Sequence, residues 1–196
     1  MLKLKEEIIK MKKRIKFLLW LFKIKKSISP PHLVKERTVR FYGKKYKMTA
    51  LVETGTYEGE MVSALKEDFE KIFSIELDKT LATKAKEKFS KDKKIKIICG
   101  DSGEELKNIL KMNPHPCLFW LDAHYSGGIT ARGKKETPIA EELKEIVKHS
   151  KRNVILIDDA NEFGKGDYPS YEEIKTILKG EFNIQTKNNI IRICPK

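Results

Sequence analysis

Leu51-Val52-Glu53-Thr54-Gly55-Thr56-Tyr57-Glu58-Gly59 is the stretch on which the reading of this 196-residue chain turns. A short apolar run meets an acid, passes through a turn punctuated by glycine, and enters a segment with helical spacing of Met61, Val62 and Leu65. That order reads as strand, turn, helix, with Gly55 and Gly59 placed where a ligand can approach the backbone closely. The pattern is G-x-x-x-G with an acid two residues before it, whereas a dinucleotide-binding turn carries G-x-G-x-x-G. A pyrophosphate beside Glu53 would be repelled, and a ligand with a cationic end would be attracted.

Outward from this turn the same alternation repeats. Short apolar runs predict strands at 49–53, 71–76, 94–99, 117–121 and 153–157, and amphipathic stretches predict helices near 58–69, 79–90, 103–111 and 138–149. Asp78 is placed to cap the second helix, and Thr137 with Pro138 at the first helical position opens the fourth. A last helix follows Ser170, with Glu173 completing a capping box and Gly180 as the stop. Strands at 181–186 and 189–194 then flank Lys187-Asn188. The pattern predicts an α/β fold with a mostly parallel sheet, helices on both faces and an antiparallel pair at one edge.

Each of the first five predicted strands runs into acids: Glu53, Glu76, Asp101, Asp122, and Asp158 with Asp159. In such sheets ligands bind beyond the carboxyl ends of the strands. Glu76 lies 21 positions after Gly55, where an acid can take both hydroxyls of a ribose, and Asp101-Ser102 suits the exocyclic amine of an adenine. The order Glu53-Thr54-Gly55-Thr56-x-x-Gly59, Ser74-Ile75-Glu76, Gly100-Asp101-Ser102 and Leu121-Asp122-Ala123-His124 resembles the class I S-adenosylmethionine-dependent methyltransferases over residues 48–196. The resemblance implies a Rossmann-like seven-stranded sheet with the last strand antiparallel, and S-adenosyl-L-methionine as cofactor. By the same resemblance Glu53, Gly55 and Gly59 face the methionine part with Thr54, Thr56 and Tyr57 of the same turn. Glu76 with Leu77 takes the ribose, and Asp101, Ser102 and Asp122 border the adenine and the reacting end.

Asp122 at the fourth strand end and Asp158-Asp159 at the fifth converge where a methyl acceptor would lie. Three clustered carboxylates repel unless protonated or bridged, and an all-oxygen set suits Mg²⁺ or another hard divalent cation. This is similar to the metal-dependent O-methyltransferases of the macrocin and novobiocin sugar-methylating type. His124 is the expected general base with Asp122 beside it, although those relatives tend to carry an acid at that position. The loop from Tyr125 to Glu136, with Gly127, Gly128, Gly133 and Arg132, reads as a candidate lid, and Asn161 to Tyr168 flanks the same edge.

The net charge of +13 is not spread along the chain. Residues 1–47 hold 16 Lys and Arg against 3 Glu, which accounts for all of it. Residues 1–30 read as a basic amphipathic helical arm, 31–47 as a linker able to cover a ligand, and 48–196 as the catalytic domain. Met1, Leu4, Ile8, Met11, Ile15, Leu18 and Phe22 form an apolar stripe that Ser29-Pro30-Pro31 ends. Such a helix fits an anionic membrane surface, a second copy of itself, or the body of the protein. The apolar run Phe17–Phe22 is too short to span a bilayer, and no small-residue cleavage site follows it. Cys99, Cys117 and Cys194, with no CxxC, read as reduced thiols. These features predict a cytoplasmic protein, peripheral at the inner membrane face and able to form a homo-oligomer through the arm, acting on a small-molecule or glycan acceptor in polysaccharide biosynthesis. The competing readings are an RNA or protein methyltransferase gripping its substrate with the arm, a nicotinamide oxidoreductase, and a non-catalytic module. The neutral body and the absence of an Asn-Pro-Pro-Tyr-type motif after the fourth strand disfavour nucleic acid, and Glu53 with the missing third glycine disfavours nicotinamide.

Overall fold

The computed structural model describes residues 2–22, 29–122 and 137–196. Helices α1 (Leu2–Leu21) and α2 (His32–Lys45) precede an alternation of β1 (Ala50–Thr54), α3 (Glu60–Leu65), β2 (Lys71–Glu76), α4 (Lys79–Lys88), β3 (Ile95–Cys99), α5 (Ser102–Met112), β4 (Leu118–Leu121), α6 (Ile139–His149) and β5 (Val154–Ile157). A 3-10 turn at Ala160–Glu162, α7 (Tyr171–Leu178), β6 (Phe182–Lys187) and β7 (Ile190–Pro195) close the chain. The strands form one seven-stranded sheet in the order β3-β2-β1-β4-β5-β7-β6. The first five are parallel, and β7 pairs antiparallel with both β5 and β6. This is the expected fold class.

Both sheet faces are covered, which is why the central strands are apolar at every position rather than at alternate ones. Val52, Phe119, Leu121, Ile155 and Ile157 meet α5, α6 and α7 on one side through Leu106, Leu143, Ile146 and Ile174. Leu51, Ile72, Leu118, Trp120 and Leu156 meet the other layer through Met61, Val62, Leu65, Ala85 and Val39. Val39 belongs to α2, so the stretch 31–47, expected to be a linker, is a helix in the second layer. Its buried apolar positions, Val34 and Val39, are too sparse to announce it, and polar contacts help to fix it. Arg40 donates from Nε to Asp68 at 2.8 Å and from Nη2 to the Ala64 carbonyl at 2.8 Å. A Cβ on Gly43 would lie 2.9 Å from the Phe69 ring, so the helix needs glycine there to reach the sheet.

Three boundaries also differ from expectation. The helix expected over 58–69 ends at Leu65 because the chain turns to send Phe69 into the core. Pro138 stands at the cap of α6 rather than inside it, with no side-chain cap bond, and Thr137 is buried. The final hairpin turns at Asn188-Asn189, with φ of 51° and 57°. A two-residue turn between right-twisting strands requires positive φ at both positions, and asparagine tolerates it. Asp78 caps α4 through Thr80 N and Leu81 N, and the Ser170–Glu173 capping box is formed, both as the sequence predicts. Among the described residues no helix is long and apolar enough to cross a membrane, and all three cysteines are unpaired in disulfides.

Candidate active site

The parallel pairing β3-β2-β1-β4-β5 places the carboxyl ends of five strands along one edge, and the acids read from the sequence lie there together. β1 runs into a turn held by the strand beside it: Gly55 N and Thr56 N both donate to the Ile75 carbonyl, at 2.9 and 3.2 Å. Gly55, Tyr57 and Gly59 have φ of 86°, 49° and 68°, a curled backbone with Gly59 as the cap of α3. At Gly59 a Cβ would lie 2.7 Å from the Phe89 ring, so glycine is required there twice over, by conformation and by space.

Glu76 closes this turn from β2. Its Oε2 accepts from Tyr57 N at 2.7 Å and its Oε1 from Asp78 N at 3.0 Å. The carboxylate is therefore oriented from both ends, with Leu77 and Tyr57 more exposed around it. Glu53 is 2% exposed and accepts from Ser74 Oγ at 2.5 Å. That proton being committed, Thr56 Oγ1 donates to Ser74 Oγ at 2.6 Å. Burial pushes the Glu53 carboxyl up to about 8, opposed by the Ser74 hydrogen bond and assisted by the charges of Asp122 and Glu76. Asp101 caps α5, accepting from Gly103 N at 2.9 Å, and Ser102 beside it is buried. Thr54 lies fully buried at the end of β1.

Sequence reasoning did not single out Glu142. This carboxyl on α6 is wholly buried near Ser102 and Thr54, yet among the described residues neither of its oxygens has a partner in good hydrogen-bonding geometry. Burial pushes it up to about 7, against the pull of those two hydroxyls. Only the three-dimensional meeting of α5, α6 and β1 identifies it, since in sequence it is one of two adjacent glutamates on an amphipathic helix.

At the neighbouring strand ends, Asp122 N donates to the Thr54 carbonyl at 3.0 Å and Asp158 N to the Leu121 carbonyl at 3.1 Å. These bonds extend the sheet by one residue and bring the two acids side by side. Asp159 follows in the left-handed region at φ 51°, its Oδ1 accepting from Asn189 Nδ2 at 3.2 Å. One carboxylate oxygen from each of Asp122, Asp158 and Asp159 lies within 4.8 Å of the others. The set fits a hard divalent cation, and Asp158 Oδ1 is buried without a partner among the described residues, as an oxygen reserved for one would be. Burial and the adjacent Asp122 push the Asp158 carboxyl up, against Lys35.

Lys35 comes from α2, outside the segment expected to carry the site. Its Nζ pairs with Asp158 Oδ2 and stands 4.0 Å from Asp122 Oδ2. Burial draws the Lys35 ammonium down, but the surrounding aspartates outweigh it and hold the group above its ordinary value. Tyr168, in the flanking segment expected to help select the acceptor, has its hydroxyl held well above the usual range by burial and by the charges of Asp159 and Asp122. His124 and the candidate lid 125–136 lie outside the described residues.

No protein-family model and no curated protein sequence matches the chain. Solved structures do match its fold. The S-adenosylhomocysteine-bound methyltransferase PaMTH1 of Podospora anserina shares 17% identity, with 83% of this chain and 78% of that one covered, at a TM-score of 0.57. The O-methyltransferase TomG of Streptomyces achromogenes, in complex with S-adenosylmethionine, shares 12% over 83% and 80%, at 0.58. An O-methyltransferase of Bacillus cereus in complex with S-adenosylhomocysteine shares 12% over 82% and 80%, at 0.60. The chain thus has the Rossmann-like fold of the class I S-adenosylmethionine-dependent methyltransferases.

Proposed function

We propose that the chain is an S-adenosylmethionine-dependent O-methyltransferase whose acceptor is a hydroxyl of a sugar or another polyol. The observation that carries this reading is the gathering of Glu53, Glu76 and the Asp122–Asp158–Asp159 trio along one edge of a sheet of this order. Glu76 and the glycine turn hold the nucleoside, Glu53 lies beneath the cationic methionine end, and the aspartate trio borders the acceptor. A divalent cation on the trio would supply Lewis-acid activation of the acceptor hydroxyl. The chain's own residues do the remaining work. The buried strand ends fix Asp122 and Asp158 by backbone bonds, so the acceptor is positioned by groups that need no reorganisation. His124, two residues beyond Asp122 in sequence, takes the acceptor proton as the O–C bond forms and the S–C bond of the sulfonium breaks. Titration calorimetry tests the cofactor assignment. S-adenosylhomocysteine is expected to bind and NAD is not; binding of NAD alone would sink the reading. Asp158→Asn is expected to retain that binding while methyl transfer from labelled cofactor to a polyol panel falls by about 100-fold or more, as for other groups that act at the reacting centre.

The arm gives the enzyme a place to work. Ile8, Met11, Ile15, Leu18 and Phe22, five members of the apolar stripe, are all exposed, between 43% and 73%. The opposite side faces α2: Lys13 reaches Glu36 at 3.0 Å and Glu60 at 3.6 Å, and the Arg37 guanidinium lies 4.4 Å over the Phe17 ring. An exposed apolar stripe flanked by lysines suits an anionic lipid surface. The protein is expected to co-sediment with vesicles rich in phosphatidylglycerol, and the paired substitution Ile15→Glu and Leu18→Glu to release it. These side chains are exposed, so the fold should survive the change, and unaltered sedimentation of the pair would refute the membrane assignment.

A further inference from the structure

Among the described residues, the cation that reaches the aspartate trio is a lysine of α2. Lys35 is only 16% exposed at its side chain, and its partner Asp158 is 1% exposed. A carboxylate buried to that degree is costly to ionise without a paired cation. The position of the ammonium is set by the helix that carries it. Val34 and Val39 on either side are buried in the body. Glu36, the next residue, is itself buried and bonded to His32 Nδ1 at 2.6 Å and to Lys13 Nζ at 3.0 Å. Arg40 ties the following turn to Asp68 and the Ala64 carbonyl. A long, flexible lysine side chain would ordinarily point its amine to water; this one is directed inward from an anchored helix to two aspartates on two different strand ends.

We infer that Lys35 is the resident cation of the Asp122–Asp158–Asp159 site, so that a divalent metal ion binds there only in competition with its ammonium. This rests on the assignment of the trio as the acceptor end of the site and adds to it a residue, a charge and a consequence. With Lys35 in place the Asp158 charge is compensated, and the ammonium Nζ–H groups donate hydrogen bonds into the space where an acceptor hydroxyl is to be held. A metal ion entering the trio must displace Lys35 from Asp158 and tolerate a like charge a few ångströms away, which weakens its binding. It also makes α2, and through Lys13 the arm, part of the catalytic edge: a shift of α2 away from the sheet would withdraw the ammonium from Asp158.

Mn²⁺ binding read by electron paramagnetic resonance tests this without requiring turnover or a known acceptor. Lys35→Met removes the ammonium and keeps the aliphatic stem, and it is expected to bind Mn²⁺ at least about tenfold more tightly than the wild type. Lys35→Arg keeps a cation and is expected to bind as weakly as the wild type. Adding Asp158→Asn to Lys35→Met should abolish the gain, which locates the ion at the trio. Should the Met variant fail to fold, Lys35→Gln provides the same neutral comparison. Equal Mn²⁺ affinity in the wild type and the neutral variants, or weaker binding in the variants, overturns the inference. So does an Arg variant that gains affinity as the Met variant does, because steric relief rather than charge would then explain the gain. S-adenosylhomocysteine calorimetry on the same proteins separates this outcome from failure of the methyltransferase reading, since loss of cofactor binding in the wild type would sink the latter and leave the Mn²⁺ comparison intact.

Discussion

Glu76→Ala is expected to lower affinity for S-adenosylhomocysteine by about 100-fold or more. The carboxylate accepts from Tyr57 N at 2.7 Å and from Asp78 N at 3.0 Å. It is therefore both the ribose acceptor of the proposed function and the brace that holds the β1 turn in its bound shape. Hydrogen bonds to a charged group are each worth about 1.5–3 kcal/mol, and ~1.4 kcal/mol is a factor of ten in affinity. Losing the two braces alone corresponds to the stated effect, before the ribose contact is counted. Glu76→Gln separates the roles. Its single amide oxygen can serve one of the two backbone donors but not both in the present arrangement, so an intermediate loss is expected. Titration calorimetry on proteins shown folded by circular dichroism makes the measurement. An Ala variant that binds as the wild type does would remove Glu76 from the cofactor site.

The residues legible in the sequence are those whose role is local. A strand that ends in an acid, Asp78 at a helix start, and Ser170 three residues before Glu173 each declare themselves within a turn of chain. The five parallel strands were readable for the same reason: buried on both faces, they are uninterrupted apolar runs between punctuating residues. What could not be read is set by distance. Lys35 is one lysine in a basic stretch, and only the packing of α2 on the sheet, through Val39 and Gly43, carries it to Asp158, 123 positions away. Glu142 is hidden likewise by a meeting of elements. The sequence reading of Asp101 as an adenine contact is complicated by a local role, since its carboxylate caps α5. A cap and a ligand contact use different oxygens, but the spacing of Asp101-Ser102 alone does not distinguish them. The +13 charge is resolved in the same way: its basic residues lie in α1, α2 and the segments around them, and at least one is turned inward as part of the site.

Glu53→Gln is expected to make the protein more stable than the wild type as pH rises, with a difference that grows across the neutral range. An ordinary glutamate ionises near 4.5, whereas burial holds Glu53 at about 8. Between these values the unfolded chain has released the proton and the folded chain retains it. The unfolded state then binds fewer protons, so stability falls as pH rises through this window and levels off above it. At ~1.36 kcal/mol per pKa unit the full shift amounts to several kcal/mol as an order of magnitude. Glutamine matches the neutral acid in shape, keeps an oxygen for Ser74 Oγ, and cannot ionise. The melting temperatures of the two proteins should nearly coincide at about pH 4.5 and separate by roughly 10 °C at about pH 8.5, given ~2–4 °C per kcal/mol for a chain of this size. Asp158 and Glu142 titrate in both proteins, so the difference between the curves isolates Glu53. S-adenosylmethionine supplies the second readout. A cationic ligand end above Glu53 favours the ionised carboxylate, so the stabilisation given by the cofactor should rise with pH in the wild type and stay level in the Gln variant. Melting curves that run parallel from about pH 5 to about pH 8.5 would show that Glu53 is already ionised in the fold and overturn the pH dependence expected of it.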